Sequence, residues 1–215
     1  MESADVIYYA SGLNIRKSVN AGFLWSDPAT SVLLTGAAYS ISSIGVNRLI
    51  VTSNDGVVAY SDNNTVTRLG TLSGAGNVVA TAATLATNDF VYAAGNGFTV
   101  AADNVIYRYK IGSVAPDNVW EKIINVPPMV STTTMDFTGI AIKAGVLYAT
   151  AIDAPGSHLW LSVNPTVART SVVFDDIGAA SLITPDFTIA GGRTTNLQLS
   201  TTTAGNTVWV IDDDD

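Results

Sequence analysis

An eight-residue pattern recurs four times along the chain, each time after a strand-like segment, and it limits the fold more than any other feature. Its most complete copy is Ser18-Val19-Asn20-Ala21-Gly22-Phe23-Leu24-Trp25. Two further copies, starting at Ser61 and Ser162, keep Ser, then Asn two residues on (Asn63, Asn164), a small residue at the fifth place and a large one at the eighth. A frayed copy surrounds Asp117-Asn118-Val119-Trp120. A unit repeated every few dozen residues cannot bury its apolar face alone, so the copies must stack on one another in a propeller, solenoid or array.

The segments between the turns identify the unit. Short runs of Val, Ile, Tyr and Thr are bounded by Gly, Asn, Asp and Pro, and no stretch keeps a 3.6-residue apolar period, so the chain reads as all-β. Each unit opens with an apolar strand near Ile7, Ile50, Val91, Leu147 and Leu197, at spacings of 43, 41, 56 and 50 residues. Four short strands fill that length, which is a four-stranded propeller blade. A second strand follows each opening through Ile15-Arg16-Lys17, Val57-Val58-Ala59-Tyr60, Ile106-Tyr107-Arg108-Tyr109, Leu159-Trp160-Leu161 and Val208-Trp209-Val210. A third is drawn through Thr67-Arg68-Leu69, Trp120-Glu121-Lys122-Ile123 and Ser171-Val172-Val173-Phe174. A fourth is drawn through Tyr39-Ser40-Ile41-Ser42, Val78-Val79-Ala80-Thr81, Phe137-Thr138-Gly139-Ile140-Ala141 and Phe187-Thr188-Ile189-Ala190. The expected architecture is one repeat domain over residues 1–215, with four blades and an incomplete fifth, as in a fragment of a larger ring or an open assembly completed by another chain.

The complete copy resembles the Asp-box, Ser-x-Asp-x-Gly-x-x-Trp, of the sialidase-like β-propellers, with Asn20 in the Asp place. That resemblance implies a structural hairpin: the short polar side chain bonds nearby backbone N–H groups, Gly22 takes a positive φ, and Trp25 plugs the turn. The other copies put Thr65 and Thr166 at the Gly place and Arg68 and Arg169 at the Trp place. The tryptophans Trp25, Trp120, Trp160 and Trp209 recur with the repeat, and what every blade needs is packing, whereas a catalytic site is needed once.

Composition narrows the function. Hydrophobic residues make up 47% and charged residues 13%, so the chain folds rather than staying disordered. A net charge of −8 with scattered cations disfavours nucleic acid. There is no cysteine and His158 is the only histidine, so thiolate or histidine-rich metal centres and cysteine nucleophiles are excluded, and no metal or cofactor is expected. No apolar run reaches the length of a membrane span.

Sialidase chemistry would need an arginine triad, a Tyr–Glu pair and an Asp acid. The six arginines (Arg16, Arg48, Arg68, Arg108, Arg169, Arg193) scatter over the units, and the two glutamates are Glu2 and Glu121. Most aspartates sit in turn contexts such as Asp55-Gly56, and Asp212-Asp213-Asp214-Asp215 reads as a solvated acidic run. Ser, Thr, Asn and Gly are abundant and Lys is scarce, a composition typical of prokaryotic surface β-proteins. The expectation is therefore a non-catalytic extracellular or cell-surface module that binds protein or glycan, or assembles with copies of itself. Two alternatives share the pattern: the N-terminal part of a propeller glycoside hydrolase, and stacked sandwich modules of a fibre.

Overall fold

A computed structural model describes residues 5–26, 29–30, 34–62, 65–72, 76–82, 90–95, 105–113, 119–123, 136–153, 156–176, 194–199 and 208–212. Seventeen strands lie in these residues and form five antiparallel sheets. The first sheet holds β1 (Ile7–Ser11), β2 (Asn14–Ser18) and β3 (Ala29–Thr30). The second holds β4 (Ala38–Gly45), β5 (Arg48–Ser53), β6 (Val57–Asp62) and β7 (Thr65–Thr71). The third holds β8 (Val78–Ala82), β9 (Phe90–Gly95), β10 (Tyr107–Lys110) and β11 (Glu121–Lys122). The fourth holds β12 (Asp136–Lys143), β13 (Val146–Asp153), β14 (Gly156–Ser162) and β15 (Asp175–Asp176). The fifth pairs β16 (Thr194–Leu199) with β17 (Val208–Asp212).

Within each sheet the strands follow in chain order, so every connection is a hairpin. Two-residue turns suffice where the backbone reaches positive φ, as at Ala144 (50°) and Gly145 (81°) between the paired residues Lys143 and Val146. The first strands of successive sheets lie side by side, β4 against β8, β8 against β12 and β12 against β16, while β1 lies against β4.

The expected strands are largely present, but the phase of the repeat is corrected. The segments read as a fourth strand, at Tyr39-Ile41, Val78-Thr81 and Phe137-Ala141, open the following sheet, and the openings near Ile50, Val91 and Leu147 are second strands, while Ile7 lies in β1, the first described strand of its sheet. The pairing register supplies the reason. Ile7, Leu49 and Leu147 are the cross-strand partners of Ser18, Ser61 and Ser162, so Leu49, beside Ile50, holds the equivalent place. The third strand expected through Ser171-Phe174 is instead a 3-10 turn at Arg169–Ser171 leading into the short β15. The strand expected through Phe187-Ala190 lies outside the described residues.

Alternation places the core between sheets. On β5, Leu49 and Val51 point into a cluster with Ile15 of the first sheet, while Ile50 joins a cluster with Val78 and Val91 of the third. On β9, Val91 and Ala93 face the second sheet, while Tyr92 and Ala94 face Leu147, Ala149 and Trp160 of the fourth. Each inner strand run is therefore apolar on both faces, the pattern of a sheet covered on both sides.

Candidate functional site

Ser18 is buried, and its Oγ accepts the N–H of Gly22 at 2.9 Å and donates to Asn20 Oδ1 at 2.9 Å. Asn20 Oδ1 also accepts the Leu24 N–H at 2.8 Å, and the backbone passes through positive φ at Ala21 (56°) and Gly22 (91°). One hydroxyl and one amide oxygen thus replace the ladder bonds that the chain gives up in reversing direction. In the copy at Ser162 the buried hydroxyl donates to Asn164 Oδ1 at 3.2 Å, and that oxygen accepts the Val173 N–H at 3.3 Å. Ser61 is buried in the same way, and Asn63 lies outside the described residues.

The turn expected at Asp55-Gly56 is of this kind, and Ser53-x-Asp55 there repeats the Ser18-x-Asn20 spacing. Ser53 Oγ donates to Asp55 Oδ1 and accepts the Val57 N–H at 3.1 Å. Thr35, in the link from the first sheet, donates to Asp55 Oδ2 at 2.5 Å. Burial pushes the Asp55 carboxyl up, but the hydroxyls of Ser53 and Thr35 and the N–H groups of Asp55 and Val57 outweigh it and hold the group below its ordinary 3.8.

The tryptophans divide. Trp160 is buried in the core between the third and fourth sheets, and Trp120 packs on Tyr109 at 5.4 Å between ring centres. Trp209 pairs across β16–β17 with Gln198. Trp25 lies against its own turn, its ring 3.8 Å from where a Gly22 Cβ would stand, yet it is 39% exposed and meets Tyr9 edge-on at 6.1 Å. The reason is that its face of the first sheet is uncovered. Tyr9 holds the place of Val51 and Ala149, which are 3% and 0% exposed against a preceding sheet, whereas Tyr9 is 54% exposed. Among the described residues β1 pairs with β2 alone, whereas β4, β8 and β12 precede the second strands of the later sheets.

The repeat positions stay apart, each in its own sheet, and do not converge on a common pocket. Arg108 is spent inside the fold. It is 4% exposed, pairs with Glu121 at 2.9 Å, stacks over Phe90 at 4.6 Å and donates to the carbonyls of Pro165 (3.0 Å) and Val167 (2.6 Å). Glu121 is the partner that neutralises this buried cation. No three His, Cys, Asp or Glu side chains cluster as metal ligands among the described residues.

Neither a family model nor a curated protein sequence matches this chain. Among solved structures it is similar to YCF48 bound to D1 peptide, with a TM-score of 0.53 and 12% identity over 100% of this chain and 61% of that one. It is also similar to YCF48 from Cyanidioschyzon merolae, with a TM-score of 0.46 and 17% identity over 76% of this chain and 52% of that one. The computationally designed Ika8 protein matches at a TM-score of 0.36 and 13% identity over 74% of this chain and 56% of that one. The first of these, together with the meandering four-stranded sheets, makes the fold a β-propeller of which the chain spans about three-fifths of the neighbour's length.

Proposed function

We propose that the chain is a non-catalytic propeller module of an extracellular or cell-surface protein, with hairpins of the Asp-box type, and that it binds polypeptide. The carrying observation is the exposed face of the first sheet, where the Tyr9–Trp25 aromatic pair stands at a place that is packed against a preceding sheet in the later sheets. Two exposed aromatic rings set edge-on offer apolar contact area and a polar tip to the side chains of a bound polypeptide. The similar structure of YCF48 bound to D1 peptide supports this reading without identifying the ligand. The buried Arg108 is occupied by the half-exposed Glu121, and Asp55 is occupied in its turn, which favours binding over hydrolysis.

Selection from a displayed peptide library tests this. Enriched peptides should change the fluorescence of Trp25 and should lose binding to a Tyr9→Asp variant. Peptides that bind equally well to that variant would overturn the assignment of the face. Turnover of aryl glycosides that disappears on replacing a single Asp would overturn the non-catalytic reading.

A further inference from the structure

On the exposed face of the first sheet the register sets Tyr9 directly across from Arg16 and Ser11 across from Asn14. Alternation turns their neighbours Tyr8, Ala10 and Ile15 the other way, into the cluster shared with the second sheet. Arg16 is exposed beside Tyr9, and its guanidinium makes no ion pair or hydrogen bond among the described residues. Trp25, edge-on to Tyr9, adds a second exposed ring.

The second and fourth sheets show what covers such a face inside the chain. Val51 and its cross-strand partner Ala59 share a cluster with Tyr8, Ala10 and Ile15 of the first sheet. Ala149 and its partner Trp160 share one with Tyr92 and Ala94 of the third. Both covers are sheets of this same repeat, and both covered pairs are apolar. The first sheet has Tyr9 and Arg16 in those places. A wholly apolar cover would strip the Arg16 cation of water and give it nothing in return, which is costly. The cover that suits this face brings a ring to the cation and a cation to the ring.

We propose that the face pairs with the same face of a second copy of this chain, about a two-fold axis running along the strands between β1 and β2. Such an axis carries β1 of each copy over β2 of the other, so every cross-strand pair becomes a pair between copies. Tyr9 of each copy meets Arg16 of the other, and Ser11 meets Asn14. Sheets stacked face to face lie about 10 Å apart, a gap that a tyrosine and an arginine fill together with the guanidinium resting on the ring. The hydroxyl and amide at Ser11 and Asn14 exchange hydrogen bonds in the same way. A contact of this symmetry uses one patch twice, and a patch holding both a ring and a cation is complementary to itself. Each copy carries a net charge of −8, a repulsion that physiological salt screens beyond about 8 Å. The inference rests on the reading of the Tyr9–Trp25 face as a polypeptide site, and it names the polypeptide.

Sedimentation velocity over a micromolar concentration series tests it, with circular dichroism melts to verify that each variant is folded. The wild type should pass from monomer to dimer as concentration rises. Arg16→Glu and Tyr9→Lys should each weaken dimerisation by on the order of tenfold or more, since each change acts in both halves of the contact and a cation–π pair is worth roughly two- to fivefold. Mixed together, the two variants should dimerise again, because opposite charges meet in one half while the other half keeps its native ring and cation. Variants that dimerise as the wild type does, or a mixture that stays monomeric, would overturn the pairing. A wild type that stays monomeric while library peptides still depend on Tyr9 would overturn it too and leave the polypeptide site standing, whereas loss of both would remove the site itself.

Discussion

The first and second sheets are built from the same strand pattern, yet one face of the first is open and both faces of the second are covered. Tyr9 and Val51 occupy equivalent places in the register, and only Val51 meets a preceding sheet. The apolar alternation of a repeat therefore sets what a face is able to bury, while the neighbour decides whether it is buried. The sharpest way to break this comparison is to truncate the equivalent residues Leu147, Leu49 and Ile7. Leu147→Ala and Leu49→Ala, at 0% and 5% exposure, should each cost about 3 kcal/mol in urea unfolding. Ile7→Ala should cost about 1 kcal/mol or less, because that side chain is only half buried. Equal losses at all three would mean that the face of the first sheet is covered after all.

The hairpins sharpen the same contrast at smaller scale. The Ser18 turn has a bond from Gly22 N–H to the serine hydroxyl and two positive-φ residues to accommodate it, whereas the Ser162 turn replaces that glycine with Thr166 and leans on Arg108, which reaches the Pro165 and Val167 carbonyls from the neighbouring sheet. Ser18→Ala should therefore cost about 2 kcal/mol, since it strands a backbone donor and a side-chain acceptor, and Ser162→Ala about 1 kcal/mol. Denaturation midpoints check the order, and a larger loss at Ser162 would show that the degenerate turn depends more on its hydroxyl than on Arg108.

Much of this fold was legible in the sequence because period-two alternation and Asn, Asp and Gly turns survive in every unit. The phase was not, since a meander of similar strands can be cut after any strand, and only the ladder shows that Tyr39-Ile41 begins a sheet. The roles of Ser18, Asn20 and Gly22 followed from chemistry local to the turn. The exposure of Trp25 did not, because burial of the box tryptophan depends on a neighbouring sheet rather than on the box.

The smallest expected effect concerns the link between the two compared sheets. In the first sheet the β1–β2 turn holds the link through an uncharged bond, Gly12 C=O accepting the Ala38 N–H at 2.7 Å. In the second, the β5–β6 turn holds it through the Asp55 carboxylate and Thr35. A carboxyl whose folded value lies below 3.8 stabilises the folded state above 3.8, and that contribution disappears as pH falls through the lowered value. Asp55 is largely solvated, so the effect is local and modest. Acidification should speed hydrogen exchange at the Asn54 and Val57 amides while leaving Ala38 protected, and Asp55→Asn should remove that pH dependence. Simultaneous opening at Ala38 would show that the two turns release the link as one unit, and that the charged latch has no independent existence.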